Sequence, residues 1–226
     1  MKITAILLAA GLSQRMGRDK LLLEYNGKSL LQYAVDLLSD LPVDERIIIT
    51  TDARAEHIIL PPGIRLCINY NPEIGQSESI RLAIEQTETQ GMTQEIRSPV
   101  SSEEHKERKK SDPLCNSYNS SSYLFLNADQ PRLTVKDVLQ LLAVAKENPN
   151  MIIYPMIDDQ PCSPTIFPNI FCSQLLNLTG DDGGRVIRNV NKEYCLAVTP
   201  TVPENFIDVD NEEDYHDLID GKRTAC

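Results

Sequence analysis

Residues 7–20 have the sequence LLAAGLSQRMGRDK, and they continue directly from the apolar run Thr4–Leu8. Three small residues follow the run: Ala9, Ala10 and Gly11. Three cations come next: Arg15, Arg18 and Lys20. Small residues let backbone N–H groups close around phosphate oxygens, and nearby cations balance the phosphate charge. An ordinary strand-to-helix turn accounts for one exposed cation but not for this combination, so the stretch predicts a phosphate-binding loop after a buried strand.

Two better-known phosphate loops do not fit these residues. A Walker A loop that ends at Gly27-Lys28-Ser29 needs glycine where Leu22 stands. A dinucleotide-binding G-x-G-x-x-G motif needs glycine at Ala9 and Gln14. The loop therefore belongs to another class.

Short apolar runs alternate along the chain with segments of helical period, such as Leu30–Leu38. The runs are Thr4–Leu8, Ile47–Thr50, Leu66–Ile68, Tyr123–Leu126 and Met151–Tyr154. The alternation predicts βαβ units and an α/β fold with a mostly parallel sheet. Ligands bind beyond the carboxyl ends of such strands, so we expect residues 9–20 and 127–131 to face the site.

Residues 92–122 interrupt this pattern, because they are rich in serine and charged residues and poor in large apolar ones. We interpret them as a mobile surface insertion in a single domain that spans residues 1–226. A partner-binding segment is the alternative interpretation of the same composition.

Overall composition restricts the class of protein. A net charge of −11 disfavours binding to nucleic acid and to anionic membranes. No apolar stretch is long enough to cross a membrane, and no signal-peptide cleavage pattern is present, so a cytoplasmic location is expected. The six cysteines form no C-x-x-C pair, which favours reduced thiols, and the three histidines show no triad spacing.

The motif A-A-G-x-S-x-R-M-G-x-x-K in residues 9–20 resembles the nucleotide loop of the MobA-like NTP transferases. The resemblance implies a three-layer, Rossmann-like, doubly wound sheet of the nucleotide-diphospho-sugar transferase type. It also implies a set of nucleotide-binding residues in this loop: Ala9, Ala10, Gly11, Arg15 and Lys20.

Two further segments resemble motifs of the same family. Gly75–Arg81 is similar to a serine-rich helix start that lies beside the nucleotide, which implies contact through Ser77, although a helix cap explains serine equally well. Asn127–Pro131 is similar to the family's G-D-Q-P turn, with Ala128 in place of glycine. Asp129 is then implied to bind Mg²⁺, a hard cation that prefers carboxylate oxygen.

Residues 206–215 are similar to the family's D-I-D-T-P-E-D segment, with Asn211 and Glu212 in place of Thr-Pro. Asp208 and Asp210 point to the same side of an extended chain, so either could complete the magnesium site. An acidic start to the last helix is the alternative explanation.

Residues 180–185 resemble the G-D-x-G-G-R turn of the family branch that acts on molybdenum cofactor. The resemblance implies an acceptor-binding role for Gly183, Gly184 and Arg185. The preceding residues 162–167 resemble G-x-P-x-x-F, with Cys162 in place of glycine.

Together the resemblances imply transfer of CMP from CTP to the phosphate of molybdopterin with release of pyrophosphate, and a molybdenum hydroxylase as client. Arg15, Lys20 and Asp129 are the predicted catalytic residues. A sugar-phosphate or alcohol-phosphate nucleotidyltransferase and a non-catalytic cofactor carrier are the alternatives.

Overall fold

The structure is a computed structural model that describes residues 1–12, 16–88 and 121–221. Arg15 and residues 92–120 of the predicted insertion lie outside these ranges. Ser121 and Ser122 begin a strand, so the predicted insertion extends two residues too far at its end.

The described residues form ten strands and seven α-helices, and strands and helices alternate from α1 to β7. The strands are β1 (Lys2–Ala9), β2 (Glu24–Tyr25), β3 (Lys28–Ser29), β4 (Glu45–Thr50), β5 (Arg65–Ile68), β6 (Ser121–Asn127), β7 (Ile152–Ile157), β8 (Gln160–Pro161), β9 (Thr165–Pro168) and β10 (Cys195–Val198). The helices are α1 (Leu30–Asp40), α2 (Asp52–Ala55), α3 (Gln76–Glu88), α4 (Val135–Glu147), α5 (Cys172–Leu176), α6 (Gly184–Val190) and α7 (Glu212–Ile219).

The central sheet has the strand order β10-β7-β9-β6-β1-β4-β5, with β8 paired to β7. All neighbours along this order are parallel except β9, which runs antiparallel to β6 and β7. The five apolar runs of the sequence form β1, β4, β5, β6 and β7. The prediction of an α/β fold with a mostly parallel sheet is confirmed.

Helices cover both faces of the sheet. Side chains of β1 alternate between the faces, so Ala5 and Leu7 pack with helices α1 and α4, whereas Ile6 packs with α3, α5 and α6. Burial of both faces explains why the central strands read as continuous apolar runs rather than as alternating patterns.

The chain reverses its strand order between β1 and β6, the two central neighbours. From β1 the chain passes to β4 and β5 on one side, and β6 then pairs on the other side. Leu8 of β1 stands opposite Asn127 of β6. The loop after β1 and the turn at Asp129 therefore leave the same edge of the sheet at its switch point, where ligands bind in folds of this kind.

The structure bears on two expectations from composition: reduced cysteines and the absence of a membrane span. Cys172 is disulfide-bonded, so the expectation of reduced thiols is wrong for this residue, while Cys67 and Cys195 are free thiols. Across the part of the chain that the structure describes, no helix combines the length and apolar character that a membrane span requires.

Candidate active site

A buried arginine joins the two ends of the loop after β1. Arg54, in helix α2, donates from Nη1 to the carbonyl oxygen of Ala9 at 2.7 Å and from Nε to Asp19 Oδ2 at 2.6 Å. Asp19 Oδ1 accepts from the N–H of Leu21 at 3.1 Å and so starts the short 3-10 helix Lys20–Leu22. These bonds fix the backbone on both sides of the small-residue turn and orient Lys20.

Lys20 lies between two carboxylates. Its Nζ atom is 2.8 Å from Asp129 Oδ2 and 2.8 Å from Asp210 Oδ1. The side chains of Lys20 and Asp129 are each only 16% exposed. Burial disfavours the charged form of Lys20, but Asp129 and Asp210 outweigh this effect and raise its pKa. The residues that follow the first and the sixth strand thus meet at one point.

The segment before helix α7 is tied to the turn at Asp129. The N–H of Val209 donates to the carbonyl oxygen of Asp129 at 2.9 Å, which places Asp208 and Asp210 beside that residue. Burial raises the pKa of Asp208 to about 8, and the negative charges of Asp129 and Asp210 add to the increase. Two carboxylates, of Asp129 and Asp210, therefore contact the Lys20 ammonium group, and Asp208 lies beside them; these three acids form the acidic cluster.

The carboxyl groups have the properties of a divalent cation site. Asp129 Oδ1 and Asp208 Oδ1 are buried and have no hydrogen-bond partner within the described residues. Residues 1–12, 16–88 and 121–221 contain no cluster of three or more histidine, cysteine or acidic residues arranged around one metal position. Mg²⁺ commonly uses one or two carboxylates and takes its other ligands from waters and substrate phosphates. Asp129 and Asp208 fit that ligand set.

Arg18, the other described cation of the loop, faces a different direction. Its guanidinium forms a two-point ion pair with Glu212, at 2.8 Å and 2.6 Å, and lies over the ring of Tyr215. Asn211 and Asp214 form a capping box at the start of α7, so this helix begins without the family's Thr-Pro, which Asn211 and Glu212 replace. Arg18 therefore links the loop to α7 instead of pointing at the acidic cluster.

A cavity of about 340 Å³ opens beside Lys20 and Asp129. Ala10 and Gly11 line it, whereas Ala9 is buried beneath and its carbonyl is occupied by Arg54. The wall opposite the loop comes from the segment before α3 and from the first turn of that helix.

At the start of α3, Ser79 and not Ser77 lines this cavity. Ser77 is 4% exposed, and its N–H donates to the carbonyl oxygen of Gly180 at 3.1 Å. Gly75 has a φ of 106°, and a Cβ atom there would collide with the Gly180 backbone. Backbone contact therefore packs the predicted nucleotide segment against the predicted acceptor turn. Ser77 is part of this contact and does not line the cavity.

A second cavity of about 370 Å³ adjoins the first. Gly183, Gly184 and Arg185 line it, as does the nearby Arg188. A Cβ atom at Gly184 would come within 2.6 Å of the Phe167 ring, so this glycine permits close packing of α6 on β9. The two cavities share four residues: Leu8, Gln76, Asn127 and Asp181.

Sequence reasoning missed two residues that hold the site together. Arg54 is one, and its only signal is an arginine soon after the end of a buried strand. Gln130 is the other: it is 2% exposed and donates from Nε2 to the carbonyl oxygens of Ser163, at 3.1 Å, and Phe206, at 2.9 Å. Its partners are distant in sequence, so no local pattern reveals them.

A family model described as the MobA-like NTP transferase domain matches residues 5–194. The chain belongs to this family. The match extends over the loop after β1, the turn at Asp129 and the turn at residues 180–185, and it ends before Asp208.

Two relatives of this MobA-like chain are named as probable molybdenum cofactor guanylyltransferases. The protein from Pyrococcus horikoshii is 33% identical over 84 residues, which cover 37% of this chain and 43% of that protein. The protein from Rhodopirellula baltica is 25% identical over 154 residues, which cover 67% of this chain and 59% of that protein. The matches thus span about half the length of these relatives. Their names do not support the cytidylyl prediction, which stays a prediction.

Solved structures share the MobA-like fold. Rv0371c from Mycobacterium tuberculosis H37Rv has a TM-score of 0.66 at 22% identity, over 97% of this chain and 98% of that chain. A manganese complex of Rv0371c has a TM-score of 0.65 at 20% identity, over 97% and 99%. The 4-diphosphocytidyl-2C-methyl-D-erythritol synthase of Anaerococcus prevotii has a TM-score of 0.64 at 14% identity, over 97% and 95%. At these identities the likeness concerns the fold.

Proposed function

We propose that the protein transfers the nucleotidyl group of a nucleoside triphosphate, CMP from CTP, to the phosphate of a molybdopterin-type acceptor and releases pyrophosphate. The main supporting observation is the position of Lys20, whose ammonium group lies 2.8 Å from Asp129 and 2.8 Å from Asp210 at the edge of a cavity. Family membership and the names of the relatives support the reaction type and the acceptor class.

Loop and lysine together suit a triphosphate. The turn at Ala10 and Gly11 brings backbone close to the cavity, and Lys20 supplies a half-buried positive charge next to it. Phosphoryl-type transfer depends on positioning and on neutralising charge in the transition state. Arg15 keeps its proposed role beside Lys20 on the resemblance alone, because it lies outside the described residues.

Asp129 with Asp208 would hold a divalent cation, for which Mg²⁺ is the proposed choice, and the manganese complex of a protein with the same fold supports a divalent ion. Such a cation, when bound, neutralises charge on the phosphates that react. Asp210 is held by Lys20, so we assign it to positioning that lysine. Gln130 and the N–H of Val209 keep the two acidic segments at a fixed separation.

The transfer needs no covalent intermediate with the protein. An oxygen of the acceptor phosphate attacks the α-phosphorus and forms a new P–O–P link, while the bond between the α- and β-phosphates breaks. The bridging oxygen leaves with its electron pair as part of pyrophosphate. Lys20 donates to the phosphate oxygens on which negative charge accumulates.

Ala10 supports CTP as the nucleotide. The resemblance of residues 9–20 implies Ala-Gly-Gly or Gly-Gly in the guanylyl branch of the family, where this chain has Ala9-Ala10-Gly11. The Ala10 side chain is buried at the cavity wall. The extra methyl group narrows the space, which favours a pyrimidine over a purine. The names of the two relatives favour GTP, so guanylyl transfer is the second candidate.

Pyrophosphate release tests the proposal. The protein is incubated with Mg²⁺, molybdopterin and either CTP or GTP, and parallel reactions replace molybdopterin with a sugar 1-phosphate. We expect release that requires molybdopterin and is faster with CTP, and we expect Ala10→Gly to move the preference towards GTP. Release with the sugar phosphate alone would establish the alternative enzyme class, and no release with any pair would contradict the proposal.

A carrier that only binds and delivers finished cofactor is distinguished by Asp129→Asn. The substitution keeps the size of the side chain and removes the charge. Nucleotidyl transfer predicts loss of pyrophosphate release with delivery of pre-formed cofactor unchanged. A carrier predicts no release from the unmodified protein either.

A further inference from the structure

Arg188 in helix α6 is a cation in an unusual environment. Its guanidinium lies over the Tyr154 ring, with Cζ 4.7 Å from the ring centroid, and its Nη1 is 3.5 Å from the hydroxyl of Thr165. The side chain is half-buried at the wall of the second cavity, and burial lowers the pKa of Arg188. Withdrawing a guanidinium from water costs free energy unless a ligand or a counter-charge compensates.

Within the described residues, no acidic side chain lies within ion-pair distance of Arg188, so no carboxylate there compensates its charge. Arg185 lines the same cavity and adds a second positive charge that repels the first. Asp181 and Asp182 also line the cavity, but neither pairs with Arg188. A cavity with two arginines and an unbalanced guanidinium is suited to an anionic ligand.

The depth of Arg188 in the sheet indicates which part of the acceptor it meets. Thr165 of β9 stands opposite Phe125, two residues before Asn127 on β6. At roughly 3.3 Å per strand residue, Arg188 therefore lies about 7 Å deeper than Asn127, where the two cavities meet. In the proposed function the reacting phosphate lies in the first cavity, beside Asp129 and Lys20. Arg188 lines the second cavity and not the first, so it is placed to contact another part of the acceptor.

We propose that Arg188 binds a second anionic group of the acceptor, apart from the reacting phosphate, and so selects acceptors that carry negative charge at two places. This inference rests on the proposed function. Molybdopterin has that character, since its pyran ring carries both the side chain that ends in phosphate and two thiolate sulfurs. Arg188 lies against Tyr154 and Thr165, and the remaining N–H donors of its guanidinium are suited to a pair of anionic sulfurs.

The test compares two ligands and four proteins. The ligands are molybdopterin and a pterin phosphate that lacks both sulfurs, and binding is measured by isothermal titration calorimetry under anaerobic conditions. The variants are Arg188→Met, which keeps an unbranched stem on Tyr154, and Arg188→Lys, which keeps the charge but not the fork. Lys192→Met is the matched control, because Lys192 is an exposed cation close in sequence and outside both cavities.

For the unmodified protein we expect tighter binding of molybdopterin than of the sulfur-free ligand. Arg188→Met should weaken molybdopterin roughly 10- to 100-fold and leave the sulfur-free ligand nearly unchanged, as a lost charge-assisted contact predicts. Arg188→Lys should be intermediate, and Lys192→Met should match the unmodified protein. Equal weakening of both ligands, or none, in Arg188→Met and Arg188→Lys would overturn the inference.

Binding and turnover separate this inference from the proposed function. If the unmodified protein binds molybdopterin in an Arg188-dependent way but releases no pyrophosphate with any triphosphate, the inference stands and the transferase proposal fails. If pyrophosphate is released and Arg188→Met leaves the KM for molybdopterin unchanged, the transferase proposal stands and the inference fails.

Discussion

At the scale of single residues, Lys20 is where the acidic cluster and the nucleotide loop meet. Its ammonium group is half-buried and contacts Asp129 and Asp210, so no neighbouring cation can take its place within the described site. A loop of small residues alone supplies backbone N–H donors but no positively charged side chain. Lys20 is therefore the residue that we propose to place a positive charge beside a bound triphosphate.

Replacing Lys20 with glutamine should reduce kcat/KM for nucleotidyl transfer by about 100-fold, which is the usual cost of removing one donor to developing negative charge. Lys28→Gln is the control, because Lys28 also pairs with an aspartate, Asp36, but lies outside both cavities. Steady-state pyrophosphate release measures both. Similar activity of the two variants would remove Lys20 from the catalytic set.

Arg54→Met tests the hydrogen bonds that Arg54 makes to the two ends of the loop after β1. The substitution leaves the Ala9 carbonyl and the Asp19 carboxylate without the guanidinium that now binds both, and we expect the free energy of unfolding to fall by about 3 kcal/mol. Arg18→Met breaks an exposed ion pair and should change this free energy much less. Urea unfolding curves provide the comparison. Equal midpoints for the two variants would mean that Arg54 contributes little.

Asp208 makes stability depend on pH when no divalent cation is present. Its pKa is raised from 3.8 to about 8, so the folded state favours the protonated acid. The resulting stabilisation is complete below about pH 4 and is lost as pH rises towards 8. Asp208→Asn should therefore raise Tm in the presence of a chelator more at pH 8 than at pH 5. Parallel Tm curves for the two proteins across this range would show that the carboxyl group does not titrate there.

At the scale of elements, the contact between the start of α3 and the turn at residues 180–185 holds the two cavities side by side. Gly75 and Gly180 touch through backbone, and Ser77 donates to the Gly180 carbonyl. The two segments are far apart in sequence, and in the sequence each is only a short glycine-containing motif. The three-dimensional structure shows that Gly75 and Gly180 pack against each other.

Gly75→Ala should cost about 3 kcal/mol, from a strained φ together with a collision with the Gly180 backbone. Gly63→Ala is the matched control, since Gly63 also has a positive φ, of 81°, but has open space around it. The control should lose only about 1 kcal/mol, the cost of the φ alone. Thermal and urea unfolding measure the difference. Equal losses would show that the contact between α3 and the turn is not tight.

At the scale of the whole molecule, the parallel sheet was predictable because buried strands leave continuous apolar runs. The acidic cluster was predictable in part, since Asp129 follows such a run and Asp208 and Asp210 precede a helix. Arg54, Gln130 and Arg188 were not predictable. Their roles depend on contacts between segments distant in the sequence, and a lone arginine or glutamine has no local pattern that marks it.

The glycine-containing motifs also show that a sequence pattern does not establish which side chains face a cavity. The resemblance implied that Gly183 and Gly184 bind the acceptor, which stays a prediction; both line the second cavity, and Gly184 also packs against the Phe167 ring. Ser77 was expected at the nucleotide and is instead buried against Gly180. The motifs lie beside the two cavities, but only the three-dimensional structure shows which side chains face them.

We infer that the loop after β1 and the acids near β6 and α7 converge on one bound triphosphate. Crystals grown with Mn²⁺ and α,β-methylene CTP would locate both ligands by anomalous diffraction. We expect a manganese peak between Asp129 and Asp208, with the triphosphate against Lys20 and Gly11. A manganese peak away from both aspartates, or a triphosphate bound elsewhere on the molecule, would contradict it.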